Sequence, residues 1–298
     1  MVYESVFRPG LYAGQRIVVT GGGSGIGRCT AHELAALGAH VALVGRNPDK
    51  LLTVANEVEQ AGGLRPSTHA CDIRVEAEVR ATVADVLQAG APIHGLVNNA
   101  GGQFMSPMEK ISANGFDAVV RNNLTGGFLM ARETFVQSMQ ANGGAIVNIL
   151  ADMWRSMPGM AHSGAARAGM LNLTETAAVE WGWAGVRVNA VAPGFIGSSG
   201  LANYPVEFRP HLRKVHEYVP LKRLGTESEV SAAIVFLLSP AAAFITGSCL
   251  RVDGGHPNAR RDWEMPEVGR SKPYRGFGLE VAPSFLQQDS VPASDAAA

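Results

Sequence analysis

The chain has 298 residues, of which 46% are hydrophobic and 17% charged, and its formal net charge is −1. This length fits one large domain with a substantial core, and the composition argues against intrinsic disorder. Because the charge is almost balanced, we expect no general basic surface, no nucleic-acid partner and no membrane-binding patch.

The cysteines and the apolar runs limit the cellular setting. Cys29, Cys71 and Cys249 are far apart and lack CxxC spacing, so we expect no metal site and no disulfide framework. Charged residues and proline interrupt the segment 1–11, which therefore differs from a signal peptide. No apolar run reaches the roughly 18 residues that a membrane span needs. These features predict a cytoplasmic protein in a reducing compartment.

Short apolar runs alternate with amphipathic stretches along most of the chain. Arg16–Thr20 is a β-branched run that ends at glycine, which is typical of a buried strand, and a helix over Arg28–Leu37 ends at Gly38. The same alternation predicts strands at His40–Val44, Ser67–Cys71, Gly95–Asn98, Ala145–Leu150, Val186–Val191 and Ser248–Val252. It predicts helices at 51–58, 75–87, Phe116–Met139, Gly164–Trp181 and Glu227–Leu238.

This order predicts a doubly wound α/β domain of the Rossmann type, with a seven-stranded parallel sheet covered by helices on both faces. We assign residues 1–298 to one dinucleotide-binding domain with a core at about 11–255. Segment 197–224 breaks the alternation after a strand end where ligands bind such sheets, so it is a candidate substrate lid. The extension 256–298 is rich in glycine and proline, and we expect 287–298 to be disordered.

The segment Thr20–Gly27, TGGGSGIG, lies between a predicted strand and a predicted helix. Its glycines permit positive φ and close backbone approach, and the helix N-terminus offers N–H groups to a pyrophosphate. A plain tight turn is the alternative, but the strand–turn–helix context favours a dinucleotide site. The next strand ends at Arg46 with no carboxylate for a ribose hydroxyl, so Arg46 is either solvated or pairs with a 2′-phosphate. We predict NADP(H).

These segments together resemble the short-chain dehydrogenase/reductase family. The glycine loop is similar to its TGxxxGxG motif, Asn98–Gly101 to its NNAG motif, Asn123 to the asparagine of its active-site helix, and Val252–Gly255 to its last strand and turn. The resemblance covers about 11–255 and implies a homotetramer. It implies that the cofactor is contacted by Gly21, Gly22, Ser24, Gly25, Ile26, Gly27, Arg46, Asp72, Ile73, Asn99, Ala100, Gly101, Arg167, Pro193, Gly194 and Ile196.

The catalytic pair departs from the family pattern. The usual Tyr-xxx-Lys falls on Ser163 and Arg167, and the usual serine falls on Leu150 or Ala151, neither of which carries a hydroxyl. Because a serine hydroxyl is a poor acid and arginine does not titrate, ordinary ketone reduction lacks its proton donor.

One branch of the family, the 2,4-dienoyl-CoA and trans-2-enoyl-CoA reductases, tolerates this loss. Its reaction forms a thioester enolate, which needs hydrogen-bond donors more than a strong acid. Gly101–Phe104, His162–Gly169 and Ser239–Gly247 resemble the peroxisomal trans-2-enoyl-CoA reductase of this branch. The leading prediction is therefore an NADPH-dependent reductase of an unsaturated acyl-CoA thioester.

Two other functions remain open from the sequence. Leu150–Trp154 and Met157–Met160 resemble bacterial citronellol/citronellal dehydrogenases, which implies a dehydrogenase of an acyclic terpenoid alcohol or aldehyde. The missing tyrosine and lysine also fit a protein that binds NADP(H) without hydride transfer.

The candidate catalytic residues each have a structural alternative. Ser163 donates a hydrogen bond to the substrate oxygen or caps the following helix. Arg167 holds the nicotinamide ribose and stabilises the enolate, or is a surface arginine. Asn123 holds the active-site helix or is a turn residue. Asp152 is a proton donor if desolvated, and otherwise a solvated loop residue. His162 is interpreted as structural.

The candidate lid is rich in basic side chains, which either bind the phosphates of coenzyme A or belong to a solvated loop. They are Arg209, His211, Arg213, Lys214, Lys222 and Arg223.

Overall fold

The computed structural model describes residues 2–260 and 262–286. Parallel strands form one seven-stranded sheet in the order β3-β2-β1-β4-β5-β6-β7. The strands are β1 (Arg16–Thr20), β2 (His40–Gly45), β3 (Ser67–Ala70), β4 (Gly95–Asn98), β5 (Gly144–Ile149), β6 (Val186–Pro193) and β7 (Cys249–Val252). The predicted doubly wound parallel sheet is confirmed.

Helices cover both faces of this sheet. They are α1 (Gly25–Ala36), α2 (Pro48–Gln60), α3 (Glu76–Leu87), α4 (Ala113–Val120), α5 (Gly126–Thr134), α6 (Gln140–Asn142), α7 (Ala161–Trp181), α8 (Arg209–Tyr218) and α9 (Glu227–Leu238). Two π-helical turns, Arg121–Thr125 and Phe135–Met139, join α4, α5 and α6 into one long helical stretch.

The core lies in two layers because successive side chains of a strand point to opposite faces of the sheet. Ile17 and Val19 of β1 belong to one buried cluster, which also contains Leu34 of α1 and Ile234 of α9. Val18 belongs to the opposite cluster, which includes side chains from α3 and α5. A strand buried on both faces has a continuous apolar sequence, which is why RIVVT predicts β1 so directly.

Three helix starts and one further element differ from the sequence prediction. Helices α1, α4 and α7 begin at Gly25, Ala113 and Ala161, each three residues before the predicted starts at Arg28, Phe116 and Gly164. The candidate lid contains α8, whose buried residues are Leu212 and Val215. Two apolar positions at i, i+3 are too few to produce a clear helical period, so the sequence of segment 197–224 does not predict this helix.

The C-terminal extension packs against the body of the same chain. Phe277 is 3% exposed and clusters with Tyr3 and Cys29, while Thr226 Oγ1 donates to the carbonyl oxygen of Tyr274. Arg213 of α8 donates to the carbonyl oxygen of Phe285, so the extension reaches from α1 to the lid. The disorder prediction for 287–298 lies outside the described residues. Within the part of the chain that the structure describes, no helix has the length and apolarity to cross a bilayer.

Candidate active site

Thr20 joins the glycine loop after β1 to the loop after β4. Its Oγ1 accepts from the backbone N–H groups of Asn99 and Ala100, at 3.0 and 2.9 Å, and donates to Val97 O. Asn99 Nδ2 returns a hydrogen bond to Thr20 O at 3.0 Å. These bonds fix two loops at the carboxyl ends of adjacent strands, where an open α/β sheet binds its ligand.

The glycine loop fits a dinucleotide because side chains would fill the space its backbone needs. Gly21 has φ +65°, and a Cβ there would lie 2.9 Å from Ala100 Cα. A Cβ on Gly27 would overlap the Gly21 carbonyl oxygen. Helix α1 begins at Gly25 and has no side-chain cap, so its first N–H groups are available to an anion. Gly22, Ser24 and Ile26 complete the loop.

The adenosine end of the predicted site carries exposed cations. Arg46 follows β2 and is exposed. A groove of about 340 Å³ beside the loop is lined by Ser24, Lys50 and Arg28 among others. Asp72 forms an ion pair with Arg74 at 2.6 Å, and this hydrogen bonding lowers the pKa of Asp72 to about 2. The carboxylate of Asp72 is thus charged at neutral pH.

The other predicted cofactor residues lie at or just after the carboxyl ends of β3 and β6. Ile73 is buried against Gly126 of α5. Pro193 ends β6, and Gly194 N–H donates to Val252 O of β7. A Cβ on Gly194 would lie 2.8 Å from Asp253 Cα, so only glycine allows this approach. The Ile196 side chain is buried in the core.

Arg167 is a buried cation at the centre of the site. Its side chain projects from α7, Nη1 donates to Ile149 O at 2.5 Å, and Nη2 lies 3.4 Å from Asn123 Oδ1. Nε has no partner among the described residues. Burial lowers the pKa of Arg167 to about 10, so it stays charged at neutral pH. Arg167 is 9% exposed, and the alternative of a surface arginine is wrong.

Asn123 connects the long helical stretch to the loop after β4. It lies in the first π-helical turn and is 2% exposed. Its Oδ1 accepts from Gly102 N and its Nδ2 donates to Gly102 O, both at 2.8 Å. Gly101 lies directly over Arg167, because a Cβ on Gly101 would be 2.6 Å from Arg167 Nη2. Asn123 therefore holds the loop against the buried cation.

Ser163 is fully buried and belongs to a hydrogen-bonded chain of side chains. Its Oγ donates to Gln103 Oε1 at 2.6 Å, and Gln103 Nε2 donates to the Tyr204 hydroxyl at 2.8 Å. The N-cap of α7 is Met160, so the alternative that Ser163 caps this helix is wrong. His162 is also buried: its Nδ1 accepts from the Ser163 backbone, and burial lowers its pKa.

Asp152 is paired with His256 in the loop after β5. The Asp152 Oδ2 lies 2.6 Å from His256 Nδ1, and the Asp152 backbone donates to Pro193 O. The His256 ring contacts Phe195 edge-on, with 5.0 Å between ring centroids. The alternative of a merely solvated aspartate is wrong, because its side chain is 13% exposed and has this partner.

The basic side chains of the lid do not form one surface. Arg223 pairs with Glu229 of α9, and Lys222 donates to Glu217 O. Arg209 lies over the Phe285 ring, Arg213 bonds the Phe285 carbonyl, and His211 packs against Phe208. Most of these basic side chains therefore contact other parts of the protein instead of forming one basic surface.

Gln103, Tyr204 and His256 are the polar site residues that sequence reasoning missed. Gln103 follows two glycines and His256 follows the turn after β7, so both lie at strand ends where ligands bind. Their positions at strand ends could have marked both residues as candidate site residues. Tyr204 lies in the lid segment, and nothing in its local sequence points toward Ser163.

Comparisons with known proteins show which family the chain resembles. The family model described as enoyl-(acyl carrier protein) reductase matches residues 21–256. A probable 2,4-dienoyl-CoA reductase of Bacillus subtilis is 38% identical over 245 residues, which are 80% of this chain and 95% of that protein. The mouse peroxisomal 2,4-dienoyl-CoA reductase is 37% identical over 257 residues, covering 85% of this chain and 87% of its own.

A solved structure is more similar still. The citronellol catabolism dehydrogenase AtuB of Pseudomonas aeruginosa PAO1 is 61% identical with a TM-score of 0.77, covering 86% of this chain and 100% of that chain. This protein is named a dehydrogenase, whereas the other two relatives are named reductases, so the relatives agree on the family and not on the bond that reacts. With its glycine loop, strand order and family match, this chain is an oxidoreductase that belongs to the short-chain dehydrogenase/reductase family.

Proposed function

We propose that the protein uses NADPH to reduce the carbon–carbon double bond of an α,β-unsaturated acyl thioester, with 2-enoyl-CoA and 2,4-dienoyl-CoA as the substrate class. The observation that carries the proposal is the pair of residues on α7. Ser163 and Arg167 take the places of the family's tyrosine and lysine, and Arg167 is a buried guanidinium that is charged at neutral pH. Such a site is better suited to hold an anion than to titrate.

Bound NADPH supplies the hydride. Hydride addition to the β-carbon of an unsaturated thioester moves negative charge to the thioester oxygen. A fixed cation in a water-poor site stabilises such charge strongly, because it needs no reorganisation during the reaction. In this proposal Arg167 supplies that field and also faces the nicotinamide ribose with its unpartnered Nε. Asn123 keeps the loop after β4 in place over the guanidinium.

The choice of NADP(H) rests on Arg46. It is exposed at the end of β2, where an NAD site has a carboxylate, and Lys50 lies beside the same loop. A guanidinium can form paired hydrogen bonds with a 2′-phosphate. We extend the proposal to a cytoplasmic homotetramer, on the family resemblance alone.

A second candidate function is oxidation or reduction of an acyclic terpenoid alcohol or aldehyde. Two observations favour it: the 61% identity to a citronellol catabolism dehydrogenase, and the Asp152–His256 pair, which offers an acid–base group that Ser163 cannot provide. This candidate ranks second because no hydrogen bond in the described part of the chain joins that pair to Ser163 or Arg167.

The deciding experiment follows nicotinamide absorbance with trans-2-hexenoyl-CoA, 2,4-hexadienoyl-CoA and citronellal, each with NADPH and with NADH. We expect rapid oxidation of NADPH with a thioester and a saturated or partly saturated product by mass spectrometry. Turnover of citronellal alone would reverse the ranking. Tight NADPH binding without turnover of any of the three would instead support a protein that binds the cofactor and transfers no hydride.

A further inference from the structure

Tyr204 shares the hydrogen-bond network of Ser163 although the two residues are far apart in the sequence. Gln103, on the loop after β4, bonds Ser163 with its carbonyl oxygen and Tyr204 with its amide nitrogen, at 2.6 and 2.8 Å. Ser163 comes from α7 and Tyr204 from the segment after β6. Three separate elements therefore bring one amide and two hydroxyl groups together at the carboxyl edge of the sheet.

The direction of these hydrogen bonds distinguishes the two hydroxyl groups. The Ser163 proton is committed to Gln103 Oε1, whereas Tyr204 accepts from Gln103 Nε2 and keeps its own proton. The only acceptor of that proton among the described residues is Met160 Sδ at 3.8 Å. A thioether is a weak acceptor, so a substrate oxygen would replace it favourably.

We propose that Tyr204 is the proton donor of this enzyme, that it acts on the carbonyl oxygen of the substrate, and that Gln103 is the positioning residue that aims it. The role of Tyr204 in a thioester reaction rests on the proposed function, but a carbonyl oxygen is the acceptor in the second candidate reaction as well. A phenol is a far stronger acid than the serine that replaces the family's tyrosine. The lid thereby supplies the kind of group that α7 lacks.

The proton and electrons balance in this step. The hydride pair forms the new C–H bond at the β-carbon, the π electrons shift toward the carbonyl, and the charge appears on oxygen. The Tyr204 O–H bond breaks and its proton goes to that oxygen, leaving a tyrosinate that regains a proton from solvent. The resulting enol loses its O–H proton as the α-carbon gains one, which gives a saturated thioester from a 2-enoyl substrate and leaves one double bond in a 2,4-dienoyl substrate.

The surroundings of Tyr204 suit this role. Its ring is half-buried and stacks on Phe208 with 6.0 Å between centroids, and its backbone N–H donates to Leu201 O. Met160 immediately precedes α7, so the hydroxyl lies next to the start of the helix that carries Ser163. Asp152 and His256 bond each other instead, and no hydrogen bond within residues 2–260 and 262–286 joins them to this network.

The test compares Tyr204→Phe with Tyr218→Phe, a matched change at a tyrosine of the same segment that is 51% exposed. We expect Tyr204→Phe to lower kcat about 10²- to 10³-fold and to change KM less than about threefold, because general acid catalysis contributes on that order. Tyr218→Phe should stay within about twofold of the parent. Gln103→Leu, which removes the aiming amide, should lower kcat about tenfold with Tyr204 intact.

A binding measurement adds a readout that does not need turnover. trans-Cinnamoyl-CoA bound with NADP⁺ should show a red-shifted absorption band, since hydrogen bonding to the carbonyl polarises the conjugated system. We expect the shift to shrink in Tyr204→Phe and in Gln103→Leu but not in Tyr218→Phe. A purely structural role for Tyr204 would alter the binding affinity and leave the band position unchanged.

The outcomes separate the two proposals. A parent enzyme that reduces citronellal and no thioester contradicts the proposed function, yet a large loss in Tyr204→Phe on citronellal still supports Tyr204 as donor. Tyr204→Phe with near-parental kcat on whichever substrate the parent accepts, together with a large loss in Asp152→Asn or His256→Gln, overturns the inference. A parent that turns over none of these substrates and shifts no cinnamoyl band also overturns it.

Discussion

The two ends of the candidate active site depend on different parts of the chain: one on backbone groups, the other on side chains. At the dinucleotide end, the fit depends on backbone: Gly21 and Gly27 leave no room for a Cβ, and α1 presents its own N–H groups. At the reacting end, it depends on side chains: Ser163, Gln103 and Tyr204 form one hydrogen-bonded chain, and Arg167 lies buried beside Asn123. A backbone site tolerates little change, whereas a side-chain site can be rebuilt for other chemistry on the same fold.

The difference explains how this chain can lack the family's tyrosine and lysine and still have an intact cofactor loop. Hydrogen bonds from Thr20 and Asn99 fix the loop without help from α7. Conversely, the Arg167 contacts to Ile149 O and Asn123 do not involve the glycine loop. We therefore expect changes at one end to affect binding of the cofactor, and changes at the other to affect turnover.

Gly27→Ala should give the largest effect, because its methyl group would overlap the Gly21 carbonyl oxygen and crowd Asn99 Nδ2. We expect the Kd for NADPH, measured by fluorescence titration, to rise more than about 10²-fold, since a displaced loop loses its aligned N–H groups. Gly182→Ala is the matched control: it has open space around it and a φ of −56°, so it should bind like the parent. A Gly27→Ala enzyme with parental affinity would contradict a backbone-built site.

Arg167→Ala should lower kcat about 10²-fold, because removing a preformed charge from a water-poor site costs on the order of 3 kcal/mol of transition-state stabilisation. The Kd for NADPH should change less than about threefold, as the glycine loop and Arg46 remain. Arg167→Lys, which restores the family's usual residue, should recover part of kcat. Thermal unfolding of each variant separates this loss from a loss of fold, and unchanged turnover in Arg167→Ala would remove it from the mechanism.

The dinucleotide end is also the end that the sequence predicts more fully. The glycine loop, the parallel sheet and the edge of the sheet expected to bind the ligand all follow from local patterns, since strand, turn and helix signals lie within a few residues of each other. The departure at Ser163 and Arg167 was also visible, because the resemblance fixes which slots they occupy. The burial of Arg167 did not follow from the slot, because a surface arginine remained the alternative until the structure showed it to be 9% exposed.

The rest of the site depends on contacts between distant segments. Gln103 and Tyr204 are joined only after β4 and β6 bring their loops to one edge, and no periodicity records that meeting. His256 reaches Asp152 across a comparable separation. Helix α8 was missed because it buries only Leu212 and Val215. Side-chain partners set by tertiary structure are therefore the part of this site that sequence reasoning could not supply.

The smallest effect is predicted for a change at Glu227. This change tests whether the buried carboxyl group beside the glycine loop is charged. Glu227 is the first residue of α9, is 3% exposed, and its Oε1 would lie 3.9 Å from a Cβ on Gly25. Burial, with the nearby Glu280 carboxylate, raises the pKa of Glu227 to about 7. The carboxyl group of Glu227, beside the glycine loop, is thus protonated at pH values where an exposed glutamate is ionised.

The raised pKa of Glu227 determines whether the stability of the protein rises or falls with pH. Below the unfolded pKa of about 4.5 both states hold the proton; between this value and about 7 only the folded state does, so stability falls as pH rises. The full loss is about 3 kcal/mol at pH above 7. Glu227→Gln removes this loss, so its free energy of unfolding in urea should exceed that of the parent by about 1–3 kcal/mol near pH 8 and match it more closely near pH 5.

Glu229→Gln, two residues away on the same helix, is the control of opposite sign. Burial opposes its ionisation, but Arg223 and the N–H groups of Thr226 and Tyr274 outweigh burial and lower the pKa of Glu229. Its stabilising contribution is present above the unfolded pKa and is lost on acidification, so this variant should be less stable than the parent near pH 8. If Glu227→Gln were also destabilising near pH 8, the Glu227 carboxylate would have to be charged and stabilised there, and the dinucleotide end would not depend on backbone alone.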